Sequence, residues 1–181
     1  MNLRVLPNAL SVARLLASPV VVWLIGEGML TIAFWVFLAA VVTDAADGLL
    51  AKWLDARTEL GSYLDPLADK ALLVSVYVMF GVKGYVAGWL VILVVFRDLA
   101  IVGGAVLRKL LAGDLRMRPL LISKINTVAQ ILLAVLILGV LGPGADVNVA
   151  VVAMIYAVTG TTILSGLAYL ATWSRYGEGG S

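Results

Sequence analysis

The chain reads as all-α and membrane-embedded, with six transmembrane helices. Three observations predict this. Of its 181 residues, 62% are hydrophobic and only 13% are charged, where a soluble globular domain carries about 25% charge. The mean hydropathy is +1.06. Apolar runs of near-spanning length recur six times, separated by helix breakers or charged stretches. At about 20 residues per span, six spans use nearly the whole chain. Residues 1–176 are therefore expected to form one six-helix membrane domain, and 177–181, rich in Gly, a flexible tail.

The first apolar stretch runs from Asn8 to Ile25. Arg4 precedes it, as in a signal peptide, but Arg14 interrupts it and no small-residue cleavage site follows before Glu27, so a retained span is expected. Gly26, Glu27 and Gly28 end it, and the second stretch extends from Leu30 to Leu50. The third runs from Pro66 to Val82; Pro66 suits a first helical turn with Asp65 as N-cap, which is the ordinary structural reading of that Asp. The fourth covers Tyr85 to Leu111, the fifth Leu120 to Leu141 and the sixth Val147 to Thr172, with Gly142–Ala145 as the turn between the last two.

Basic residues give these helices a direction. Arg4 lies before the first span, Lys52 and Arg57 between the second and third, Arg108, Lys109, Arg116 and Arg118 between the fourth and fifth, and Arg175 after the last. The opposite connections carry Glu27, Lys83 and Asp146. The positive-inside rule then puts both termini in the cytoplasm. Without an Arg- and Ser-rich transit segment, a bacterial inner membrane is expected.

The chain contains no His and no Cys. That excludes imidazole bases, phosphohistidine intermediates, thiolate nucleophiles and thiolate-bound metals, leaving carboxylates, Lys, Arg, hydroxyls and hard cations. Six of the eleven acidic residues fall between Asp44 and Asp69. Asp44 and Asp47 are three apart, and Asp65 and Asp69 four apart, so each pair shares one helix face. An ionised Asp at the centre of a membrane helix costs roughly 2.5–3.5 kcal/mol on insertion scales, and four together repel one another. Lys52, Arg57 and Lys70 are too few and too near water to offset them, whereas one or two divalent cations bound by oxygen would do so. A proton or ion transporter would also explain intramembrane carboxylates, but not their spacing with Gly48, Ala51 and Gly61.

That spacing is informative. Asp44, two residues, Asp47-Gly48, two residues, Ala51-Lys52, eight residues, Gly61, three residues, Asp65, three residues and Asp69 resembles the signature of the CDP-alcohol phosphatidyltransferases, with one departure: Lys52 stands where the pattern has Arg. The resemblance implies a six-helix core with the active site opening on the cytoplasmic side. It implies two divalent cations, Mg²⁺ or Mn²⁺, held by Asp44, Asp47, Asp65 and Asp69. It implies that Asp44, Gly48, Ala51, Lys52, Gly61 and Asp65 surround the nucleotide, and that Asp69 also takes the proton of the attacking alcohol. A CDP-linked lipid, CDP-diacylglycerol, would be the donor and CMP the leaving group. Lys52 keeps the charge of the family Arg but not its planar fork. The family often forms dimers, and Gly103 with Gly104 would suit such a helix interface. No nucleic acid is expected as a partner.

Acceptor choice is expected to rest on basic residues outside the signature. Arg97 lies inside the fourth stretch beside Asp98, and Arg118 and Lys124 lie toward the same edge; phosphate binding is expected of Arg97, while Arg108 and Lys109 read as positive-inside residues. Ser123-Lys124, Asn126-Thr127 and Gln130 resemble a stretch of the cardiolipin-forming branch of the family, as do the Arg97–Leu99 and Gly160–Leu170 segments. Relatives that make phosphatidylglycerophosphate commonly carry Lys where this chain has Asn126. A monoanionic phosphodiester acceptor needs less positive charge than the dianionic phosphate of glycerol 3-phosphate, so phosphatidylglycerol is the expected acceptor and glycerol 3-phosphate the runner-up. The other class of cardiolipin synthase, which uses a His nucleophile, is excluded by the absence of His.

Overall fold

The protein is described by a computed structural model covering residues 5–54, 59–112 and 121–177; within these ranges the side chains of 5–12, 14, 45–54, 59–69, 105–112 and 172–177 are outside the description. The described residues form six α-helices: α1 (Val5–Gly26), α2 (Leu30–Leu54), α3 (Glu59–Val82), α4 (Gly88–Ala112), α5 (Leu121–Leu141) and α6 (Asn148–Gly177). The shortest, α5, has 21 residues, about 31 Å of helix, close to the thickness of a bilayer hydrocarbon core. By length and composition, α5 and the Asn148–Ala171 part of α6 suffice to cross a membrane, while Leu15–Gly26, Leu30–Asp44 and Lys70–Val82 are shorter apolar runs.

Two helix ends close in the same way. At the end of α1, Met29 N–H donates to Leu24 O at 2.9 Å and Gly28 N–H to Ile25 O at 3.2 Å. At the end of α3, Tyr85 N–H donates to Phe80 O at 2.8 Å and Gly84 N–H to Gly81 O at 3.1 Å. This paired closure needs a left-handed residue, and Gly28 and Gly84 supply it with φ of 75° and 72°. Lys83 Nζ also reaches across to Gly26 O at 2.6 Å, satisfying an orphan carbonyl at the end of α1.

These contacts define the packing. Ser18 of α1 meets Ser75 of α3 at 3.3 Å, and the Tyr77 hydroxyl of α3 donates to the Gln130 carbonyl of α5 at 3.0 Å. Ser18–Ser75 and Gly26–Lys83 match successive levels of α1 and α3, so these two helices run parallel and in direct contact, and α3 also touches α5. A Cβ on Gly142 would lie 2.7 Å from Leu30 O, so the end of α5 meets the start of α2 at backbone distance. The core is filled by Phe37, Tyr77, Phe80, Leu90, Leu133 and Val158, while Trp23, Trp35, Ile92, Phe96, Leu164 and Leu170 face outward. Ser18, Arg97, Asp98, Asn126, Gln130, Thr162 and Ser165 are buried. An apolar exterior around buried polar groups is the reverse of a soluble domain's arrangement, and it suits helices solvated by lipid.

The helices differ from the sequence expectation mainly at their ends. Helix α3 begins at Glu59, not Pro66, so Asp65 lies within the helix and is not its N-cap. A Pro removes one N–H and strains one preceding carbonyl; the flanking turns continue, as they do around Pro19 inside α1. Helix α2 continues past Leu50 to Leu54, α4 starts at Gly88 instead of Tyr85, and α6 extends to Gly177. The expected tail beyond Gly177 lies outside the described residues.

Candidate active site

Both halves of the Asp signature lie on continuous helix. Asp44 and Asp47 are in the last three turns of α2, and Asp65 and Asp69 follow the first turn of α3. Helical backbone at both pairs puts each on one face. Asp44 is half-buried. The side chains of Asp47, Gly48, Ala51, Lys52, Gly61, Asp65 and Asp69 lie outside the described residues, as does Arg118 altogether. Among the described residues no three carboxylates gather. The donor set fits divalent cations by its chemistry: all ligands are hard oxygens, presented in pairs by regular helix.

Beyond the signature, the described residues form a buried ionic cluster. Asp98 of α4 accepts from two cations on one oxygen: Lys70 Nζ of α3 and Arg97 Nη1 each lie 2.6 Å from Oδ1. Arg97 Nη2 donates to Ser123 Oγ of α5 at 2.6 Å, and Nε to Ser165 Oγ of α6 at 3.2 Å; Nη2 also reaches Ser165. One guanidinium thus joins α4, α5 and α6, while Asp98 adds α3. Burying such charges is offset only when they are paired and hydrogen-bonded, as the planar five-donor fork of Arg permits. Asp98 Oδ2 has no hydrogen-bond partner among the described residues.

One turn deeper, α5 and α6 are joined by neutral groups. Asn126 Oδ1 accepts from Thr161 Oγ1 at 2.8 Å and Thr162 Oγ1 at 2.9 Å. Asn126 Nδ2 and both side-chain amide atoms of Gln130, four residues on, are buried without hydrogen-bond partners among the described residues. The polar face of α5, from Ser123 through Asn126 to Gln130, therefore continues into the bundle.

Of the expected acceptor residues, the structure brings Arg97 to this cluster and places Asn126 beside it, facing Thr161 and Thr162. Lys124 is exposed, on a different side of α5 from buried Asn126. Lys70, Asp98, Ser123, Ser165, Thr161 and Thr162 were not singled out as site residues from sequence. Their signal was a set of polar residues at three- and four-residue spacing in helices that are otherwise apolar.

Comparisons with known proteins add to this picture. The CDP-alcohol phosphatidyltransferase family model matches residues 4–164. The chloroplastic CDP-diacylglycerol–glycerol-3-phosphate 3-phosphatidyltransferase 1 of Oryza sativa subsp. japonica is 35% identical over 185 residues, covering 91% of this chain and 55% of that protein. The cardiolipin synthase (CMP-forming) of Homo sapiens is 34% identical over 144 residues, covering 71% of this chain and 48% of that protein. A protein of Mycobacterium tuberculosis named probable phosphatidylglycerophosphate synthase is 30% identical over 173 residues, covering 92% of this chain and 80% of its own length. The chain spans about half the length of the rice and human relatives. With the family match running from α1 into α6 and taking in every position of the Asp signature, the chain belongs to the CDP-alcohol phosphatidyltransferase family.

Proposed function

We propose that this protein transfers the phosphatidyl group of CDP-diacylglycerol to phosphatidylglycerol, giving cardiolipin and CMP. The observation that carries this reading is the signature itself: Asp44, Asp47, Asp65 and Asp69, at family spacing, on two continuous helices. The family membership and the relatives' names support the reaction class. In the proposed arrangement all six helices cross the cytoplasmic membrane, and both termini face the cytoplasm. The positive-inside distribution supports that orientation, and open space around Gly103 leaves a surface for pairing of two copies.

The four Asp residues would hold two Mg²⁺ or Mn²⁺ ions. These ions, when bound, supply neutralisation of the pyrophosphate charge. Gly48, Ala51 and Gly61 leave room for the cytidine and its phosphates, with Lys52 as a point charge beside them. Asp69 accepts the proton of the attacking hydroxyl. That oxygen forms a bond to the lipid-side phosphorus, the bond from this phosphorus to the bridging oxygen breaks, and the bridging oxygen leaves on CMP. Arg97, Arg118, Lys124 and Asn126 are the proposed acceptor-side residues, Arg97 acting through the buried cluster that shapes this region.

The neutral surroundings of Asn126, with Thr161 and Thr162 donating to its oxygen, support an acceptor carrying a single phosphodiester charge. Glycerol 3-phosphate is the second reading, favoured by the rice and M. tuberculosis similarities over nine-tenths of this chain. Incubation of purified protein with CDP-diacylglycerol, Mg²⁺ or Mn²⁺ and each acceptor decides between them. A four-chain lipid product supports phosphatidylglycerol, a two-chain lipid ending in phosphate supports glycerol 3-phosphate, and absence of CMP with every acceptor overturns the transferase reading.

A further inference from the structure

We infer that Lys70 is an additional binding residue for a lipid-substrate phosphate, and that Asp98 is the positioning residue that aims it. The inference rests on the transferase reading above. Three observations carry it. Lys70 directly follows Asp69, the last member of the signature, on continuous α3. Its ammonium is anchored at 2.6 Å on Asp98, whose side chain is 2% exposed, while the Lys70 side chain itself is 24% exposed. Arg97, at the same carboxylate oxygen, is 3% exposed and donates to Ser123 and Ser165 as well.

The charge arithmetic explains why Lys70 is more than a counterion. Arg97 alone neutralises Asp98, so within the triad Lys70 is a positive charge in excess. A partly exposed ammonium whose described counter-charge is already matched by Arg97 is placed to receive an anion. Arg97 is enclosed by α4, α5 and α6, whereas Lys70 keeps an accessible side. An ammonium has three donors, and among the described residues only Asp98 takes one, leaving donors for a phosphate oxygen. The phosphate belongs either to the donor pyrophosphate or to the acceptor, and the chemistry of recognition is the same for both.

The variants K70Q, K70R, D98N and the K70Q/D98N double are compared with wild type, as full chains in mixed micelles. CMP release is measured against each lipid with the other saturating, and CDP-diacylglycerol binding is measured without acceptor, so without turnover. K70Q leaves Arg97 and Asp98 a balanced pair and is expected to keep the wild-type melting temperature. Its KM for one lipid is expected to rise about tenfold, the scale of one lost charge-assisted hydrogen bond, with kcat within about twofold; K70R is expected to retain most of the affinity. A rise in donor KM with weaker donor binding assigns the donor phosphate, and a rise in acceptor KM alone assigns the acceptor phosphate. D98N is expected to raise the same KM, and the double variant to be no worse than the poorer single, since Asp98 acts through Lys70. If D98N is not recovered folded, K70Q and K70R carry the test. Wild-type turnover with both KM values unchanged in K70Q, or a lowered melting temperature with unchanged KM, overturns the assignment of Lys70. Absence of CMP release by wild type with every acceptor, glycerol 3-phosphate included, overturns the transferase reading and this inference with it.

Discussion

Lys70 Nζ and Asp98 Oδ1 are 2.6 Å apart, and this contact joins α3, which carries half of the Asp signature, to α4, which carries the buried guanidinium of Arg97. Side chains 28 residues apart in sequence thereby connect the signature helix to the polar interior of the bundle.

The first consequence concerns stability. Asp98→Asn removes the carboxylate that serves both Lys70 and Arg97, leaving a buried guanidinium without its counter-charge. Breaking a buried pair in this way costs about 3–5 kcal/mol in soluble proteins, so a clearly lower unfolding midpoint in detergent is expected. A midpoint equal to wild type would show that the pair contributes nothing.

At the opposite end of the bundle, Gly142→Ala would drive a Cβ to 2.7 Å from Leu30 O. Backbone cannot yield as a flexible side chain can, so a loss of about 1–3 kcal/mol is expected, the range for overpacking. Specific activity per folded molecule is expected to be unchanged, because this contact lies at the far end of α2 from Asp44 and Asp47. Thermal unfolding and CMP release on the same sample check both parts.

Asn126→Lys tests acceptor selection. It replaces a neutral amide that accepts from Thr161 and Thr162 with a cation. With phosphatidylglycerol and glycerol 3-phosphate supplied together, the product ratio is expected to move toward the phosphate-terminated two-chain lipid, measured by mass spectrometry. An unchanged ratio removes Asn126 from acceptor choice.

Chelation and Asp69→Asn address the chemistry. EDTA is expected to stop CMP release and added Mg²⁺ or Mn²⁺ to restore it. Asp69→Asn is expected to lower turnover by at least the roughly 10²–10⁴-fold typical of losing a general base, with membrane insertion intact. Near-normal CMP release by the variant would take Asp69 out of both proposed roles.

Much of the architecture was legible because helix formation in an apolar chain is local. Every expected apolar stretch corresponds to a helix, since helical hydrogen bonds close within one segment and need no partner strand. The ends were less legible. Pro66 looked like a helix start because a local rule favours Pro there, yet α3 begins at Glu59, its flanking turns outweighing one missing N–H. The Asp signature was legible because its spacing is a pattern along the chain, with Asp44 and Asp47 on α2 and Asp65 and Asp69 on α3.

The sequence by itself determined the helical class, the absence of His and Cys chemistry, and the four carboxylates on two consecutive helices, all of which depend on composition or short spacing. Only the tertiary structure decided that Lys70 shares Asp98 with Arg97, that Ser123 and Ser165 enclose the guanidinium, and that Asn126 faces Thr161 and Thr162 while Lys124 faces outward. The physical reason is that a buried charge must find its partner wherever the packing of α3, α4, α5 and α6 brings one, and that packing depends on all four helices at once.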